Sequence, residues 1–118
     1  MGSGGPLHRE VNLEKGKPLV PQALDRLAVV LFNSRHEGYK VLTLIHGYGS
    51  SGTGGAIKTA VRRQLQFLRQ QGTIREVIPG EEFEGRSSRG RQLVRCFPFL
   101  AEHRDLNRAN PGITLVIL

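Results

Sequence analysis

Apolar residues along this chain alternate between helix-like and strand-like spacing. Val11-Asn12-Leu13 is a short strand candidate, broken by Lys15-Gly16-Lys17-Pro18. Pro21 suits the first turn of a helix. Ala23, Leu24, Leu27, Val30 and Leu31 then follow at the spacing of one helical face, which predicts an amphipathic helix ending near His36 and closed by Gly38. Tyr39 to Ile45 is a nearly continuous apolar run and reads as a strand covered on both faces or central in its sheet. After a glycine-rich stretch, Ile57, Ala60, Val61, Leu65 and Leu68 mark a second helix, stopped at Gly72. Ile74 to Ile78 reads as a third strand, stopped by Pro79-Gly80, and Ile113 to Leu118 as a last one behind the turn Asn110-Pro111-Gly112. Between Glu81 and Asn110 the pattern is weaker: a basic loop around Arg86, Arg89 and Arg91, then a short helix from Gln92 to Phe97.

The order β-α-β-α-β-β, with an additional short helix before the last strand, places the chain in the α/β class as an α+β sandwich. Strand–helix–strand units require a sheet with a parallel portion. The economical architecture is a mixed four-stranded sheet covered mainly by two helices, with the last strand antiparallel beside the third. Residues 1–8 read as a flexible tail or a cloning scar, ahead of a single domain over 9–118.

Length and composition sharpen this. At 118 residues the chain suits one domain with its own core. No apolar run approaches the ~20 residues of a membrane helix, so no membrane partner is expected. A single cysteine, Cys96, leaves no internal disulfide and fits a reducing compartment such as the cytoplasm. A monomer is the default state. The formal net charge of +7 favours a polyanionic partner, most simply nucleic acid.

The chemistry concentrates after the second strand. His46 stands at its carboxyl end, where open α/β sheets place ligands. Gly47, Tyr48, Gly49, Gly52, Gly54 and Gly55 come next, in a loop that leads into a helix. Bare backbone N–H groups ahead of a helix N-terminus favour an anion such as phosphate. Gly47-Tyr48-Gly49-Ser50-Ser51-Gly52 formally satisfies the dinucleotide fingerprint, yet no ribose-binding acid ends the next strand. The triphosphate P-loop is absent, since no Gly-Lys-Ser/Thr closes the loop. His8, His36, His46, His103 and Cys96 show no metal-ligand spacing. Lys58, Arg62 and Arg69 on the second helix, with Arg86, Arg89 and Arg91, are candidate phosphate contacts.

The strand, Ile45-His46-Gly47-Tyr48-Gly49, further glycines and a basic helix together resemble the small MutS-related (Smr) domain, whose signature is a His-Gly-x-Gly loop followed by a helix. Pro79-Gly80 and Asn110-Pro111-Gly112 also resemble the family, and the likeness runs from about residue 9 to the C-terminus. The family's other motif, Leu-Asp-Leu-His/Arg-Gly, falls on the first strand. There Asn12 replaces the acid and Glu14 the His or Arg. The resemblance implies a βαβαββ sandwich similar to the C-terminal domain of a bacterial translation initiation factor. It also implies binding of DNA or RNA, in several members with nicking or cleavage. On this reading His46 is the catalytic acid or base near neutral pH, Glu14 supplies a displaced carboxylate, and Asn12 completes the site. No cofactor is implied with certainty, and a divalent metal such as Mg²⁺ belongs to the nuclease reading. Two other readings use the same residues: an enzyme of nucleotides or phosphometabolites built on the glycine loop, and a non-catalytic protein-interaction module.

Overall fold

A computed structural model describes residues 7–49 and 54–118. Most of the expected tail, and Ser50, Ser51, Gly52 and Thr53 of the glycine loop, lie outside the described residues. The elements run β1 (His8–Asn12), α1 (Val20–His36), β2 (Val41–Ile45), α2 (Gly54–Gln70), β3 (Glu76–Pro79), α3 (Ser88–Cys96) and β4 (Ile113–Ile117). Two short 3₁₀ turns, Gly80–Glu82 and Pro98–Glu102, flank α3.

The sheet has four strands in the order β1-β2-β4-β3. β1 runs parallel to β2, with Asn12 opposite Ile45. β4 is antiparallel to both β2 and β3 and lies between them. The mixed α+β sheet is therefore the expected one, and the last strand does sit beside the third. Its central place explains why all five of its residues are buried.

Strand alternation sends side chains to two different layers. Leu42, Leu44, Val77 and Val116 face α1 and α2 and pack with Leu27, Leu31, Ile57, Val61 and Leu65. Val41, Ile78, Ile113, Leu115 and Ile117 face the other way and are covered by Phe83, Leu93 and Leu100. The segment between β3 and β4 is thus the second cover of the sheet. α3 also begins earlier than the sequence predicts. The Ser87 side chain accepts from the Gly90 N–H at 2.9 Å and caps a helix starting at Ser88. Arg89 and Arg91 consequently belong to a helix and not to a basic loop.

Two contacts tie this cover to the sheet. His103 Nδ1 accepts from the Asp105 N–H at 3.0 Å, so its Nε2–H donates to Thr43 Oγ1 at 2.8 Å. The Thr43 hydroxyl in turn donates to His8 Nε2 at 2.7 Å, binding edge strand β1 into the same network. At the other edge Gly80 passes so close to β4 that a Cβ would overlap the Asn110 carbonyl and stand 2.6 Å from Ile113 Cγ1. Gly80→Ala should therefore lower the unfolding free energy by about 1–3 kcal/mol, the usual effect of forcing volume into a packed core. Urea titration of the two proteins measures this, and an unchanged midpoint would contradict the packing described.

Candidate functional site

β1 and β2 end side by side, and the turns that leave the two strands together form the site. Asn12 Oδ1 accepts from the Glu14 N–H at 2.9 Å, an Asx turn that ends β1. The Leu13 N–H still donates to the Ile45 carbonyl at 2.8 Å, which keeps the two strand ends in step. This turn carries the Glu14 carboxylate onto Gly47. Gly47 has φ +73°, and a Cβ there would overlap Glu14 Oε2 and stand 2.8 Å from Glu14 Cδ. Only glycine accepts both that backbone and that neighbour without strain.

His46 is 0% exposed, beneath the loop rather than on it. Its Nδ1 lies 2.7 Å from the Gly47 carbonyl oxygen. A carbonyl only accepts, so Nδ1 carries the proton and Nε2 is the acceptor. Nε2 lies 2.9 Å from Thr114 Oγ1, which donates to it. The same Thr114 oxygen accepts from Arg62 Nε at 2.9 Å. The result is one directed chain: Arg62, Thr114, His46, Gly47 carbonyl. Burial pushes His46 down from its ordinary 6.5 to about 4; the Gly47 bond opposes this, and the Arg62 and Lys58 charges reinforce it. The imidazole is neutral at pH 7 and fully bonded, which suits a group that holds the loop and does not suit a proton shuttle near neutral pH.

Arg62 is fixed in turn by Glu81. Its Nη2 and Nη1 reach Oε1 and Oε2 at 2.6 and 3.1 Å, and Nη2 also donates to the Ile113 carbonyl at 3.0 Å. Lys58 shares the same carboxylate at 3.2 Å. The Arg62 hydrogen bond, set against the cost of burial, holds the Glu81 carboxyl at about 2. Lys58 and Arg62 are therefore beside the site but already paired.

The remaining predicted cations are elsewhere. Arg69 and Arg89 both bind Glu76, at 2.9 and 2.8 Å, and Arg89 also reaches Glu82 at 3.2 Å. Glu76 stands opposite Ile117, whereas His46 comes directly after Ile45, which stands opposite Ile113 at the other end of the sheet. Arg91 donates to the Arg86 carbonyl at 2.6 Å. Arg69 and Arg89 thus lie away from the glycine loop and are already paired. The acids that pair the cations come from β3 and the turn after it.

The loop backbone is only partly available. The N–H groups of His46 and Gly47 both donate to the Gly112 carbonyl, at 3.0 and 3.1 Å. Those of Tyr48 and Gly49 have no backbone partner among the described residues. A Cβ on Gly55 would stand 3.8 Å from Gly49 Cα, so the loop returns onto the first turn of α2. Gly49 and Gly55 are therefore close neighbours, and free backbone N–H groups near a helix N-terminus suit an anion. Gly52 lies outside the described residues. Glu14 is the carboxylate placed against the start of this loop, at Gly47. Among the described residues no group of three or more His, Cys, Asp or Glu side chains is placed to hold a metal ion, and no helix is long and apolar enough to cross a membrane. Sequence reasoning missed Thr114, which the β4 register sets opposite Leu44, Glu81, which reaches back to Arg62 and Lys58, and Asp105, which holds Asn110; only the Asn110-Pro111-Gly112 turn signalled that this region returns to the loop.

Residues 19–89 match the family model of the Smr domain, more than half of the chain. The match takes in α1, β2, the glycine loop, α2 and β3, and leaves out β1 with Asn12 and Glu14, and β4 with Thr114. Comparison with curated proteins and with solved structures gave no match.

The His46 assignment has a pH signature. Below pH 6.5 the unfolded chain protonates this histidine while the folded protein resists until about 4. Stability is thus complete above 6.5 and falls as pH drops toward 4, with a His46 share of about 3 kcal/mol. Burial lowers His8 and His103 as well, and they add in the same direction. Urea unfolding across this range should show the decline, shallower in His46→Gln. An identical slope in the variant would contradict the buried neutral state.

Proposed function

Because the chain belongs to the Smr domain family, we propose that it binds nucleic acid and nicks phosphodiester bonds at the Gly47–Gly55 loop. The observation that carries this reading is the Glu14 carboxylate standing against Gly47, next to the Tyr48 and Gly49 N–H groups, which have no backbone partner among the described residues. In this proposal the N–H groups of Tyr48, Gly49 and the first turn of α2 hold the scissile phosphate. The Glu14 carboxylate takes the proton of the attacking water, or of a neighbouring 2′-hydroxyl on RNA, and the leaving oxygen takes its proton from solvent. His46 acts through the backbone: its bond to the Gly47 carbonyl fixes the loop that presents the phosphate to Glu14. Asn12 acts through the turn that aims Glu14. Glu14 is the side chain that would hold a Mg²⁺ ion here, and the ion would supply charge stabilisation for the phosphate. Lys58 sits behind the loop and adds positive field, offset by Glu81.

The sheet and its two covers hold these groups on strand ends, which gives a site more precise than loops alone provide. A small-molecule nucleotide enzyme would use the same glycine loop, and marked thermal stabilisation by a mononucleotide at micromolar concentration would favour it.

The test is nicking of supercoiled plasmid and of structured RNA, with and without Mg²⁺. Glu14→Gln should lower the rate by roughly 10²–10⁴-fold, the usual contribution of a positioned proton acceptor, while affinity persists. Affinity itself should fall with rising salt, by ~0.9 in log K per log salt for each phosphate contact on duplex DNA. Full activity in the folded variant would remove Glu14 from the mechanism. Salt-independent association would count against a phosphate-held partner.

A further inference from the structure

Beside the glycine loop, on the side away from α2, lies an open cleft of about 500 Å³. Tyr48 and Pro111 form its apolar parts, Arg104 and Arg108 its cations, and Asp105 and Asn110 the rest of its lining. We propose that this cleft receives the base of one unpaired nucleotide, stacked on Tyr48, with an adjoining phosphate on Arg108. This rests on the nucleic-acid reading above and adds to it a preference for single-stranded or locally unpaired substrates.

Tyr48 is 57% exposed although it belongs to the loop that carries the site. Its ring is nevertheless propped. A Cβ on Gly112 would stand 3.2 Å from Tyr48 Cδ1 and 3.6 Å from Gly47 Cα, so the ring edge rests on the Gly112 backbone immediately next to the loop. The turn beneath it is held by Asn110, whose Oδ1 accepts from the Gly112 N–H at 2.8 Å and whose Nδ2 donates to Asp105 Oδ1 at 3.0 Å. An aromatic ring that is exposed yet supported provides a stacking platform at small conformational cost.

The charges divide the same way. Arg104 is already engaged, with Nη2 at 2.7 Å from Glu10 and Nε at 3.8 Å from Asp105, so it offsets the carboxylate at the back of the cleft. Arg108 is exposed and makes no ion pair with a described residue. It is therefore the cation available to a phosphate at the rim. A base paired inside a duplex cannot lay its face on Tyr48, because its own neighbours in the stack occupy that face. An unpaired base can, and its backbone then continues from Arg108 toward the Gly47 loop.

The experiment compares wild type, Tyr48→Phe, Tyr48→Ala and Arg108→Ala. Affinity is measured by fluorescence anisotropy for a labelled single-stranded oligonucleotide, as DNA and as RNA, and for the blunt duplex of the same sequence. Wild type should favour the single strand. Tyr48→Ala should lower the ratio of single-strand to duplex affinity by about 5- to 150-fold, the value of one base–aromatic stack, and Tyr48→Phe should retain it. Arg108→Ala should weaken single-strand binding and flatten its salt slope. A ratio unchanged in a correctly folded Tyr48→Ala would overturn the stacking site and leave the nucleic-acid reading standing. Wild-type protein that binds neither strand nor duplex would overturn both.

Discussion

The site depends on a buried chain of hydrogen bonds whose direction is set at one end. The Gly47 carbonyl can only accept, so His46 must present Nδ1–H to it, and every donor behind His46 is then oriented. Arg62 supplies the outermost donor and is itself held by Glu81 and the Ile113 carbonyl. Each member has its partner, and no buried side-chain nitrogen or oxygen among the described residues is left without one. A polar network in a low-dielectric layer fixes a single geometry when fully satisfied and is costly when broken. Here the geometry it fixes is the entry to the glycine loop.

This arrangement separates two tasks that a single histidine would otherwise combine. The buried imidazole stays neutral and shapes the backbone. The carboxylate of Glu14, on the neighbouring strand end, faces the loop from outside. The same division applies to the cations. Lys58 and Arg62 stabilise the framework through Glu81, and Arg69 and Arg89 brace β3 through Glu76. Arg108, by contrast, is exposed and makes no ion pair with a described residue. A formal net charge of +7 thus does not show which cations are unpaired.

The fold was legible in the sequence because its signals were local: helical spacing in Ala23 to Leu31 and Ile57 to Leu68, and the Val- and Ile-rich runs of β2 and β4. The start of α3 was harder, since Ser87 acts as a cap among residues that otherwise read as a basic loop. His46, Gly47 and Glu14 were legible as neighbours because parallel pairing of β1 and β2 brings the ends of the two strands together. The burial of His46 was not. It depends on Thr114, which comes opposite Leu44 only through the antiparallel register of β4. The pairing of Arg62 with Glu81 escaped because 19 residues separate them along the chain, and that of Arg69 and Arg89 because both converge on Glu76 only once β3 is in the sheet.

The most direct test of this account is the ¹⁵N NMR titration of the His46 ring in the folded protein. Nitrogen shifts should report the Nδ1–H neutral tautomer at pH 7, unchanged down to about pH 5, with protonation centred near 4. A ring that titrates near its ordinary 6.5, or that carries its neutral proton on Nε2, would contradict the buried chain from Arg62 to Gly47 and the role it gives this histidine.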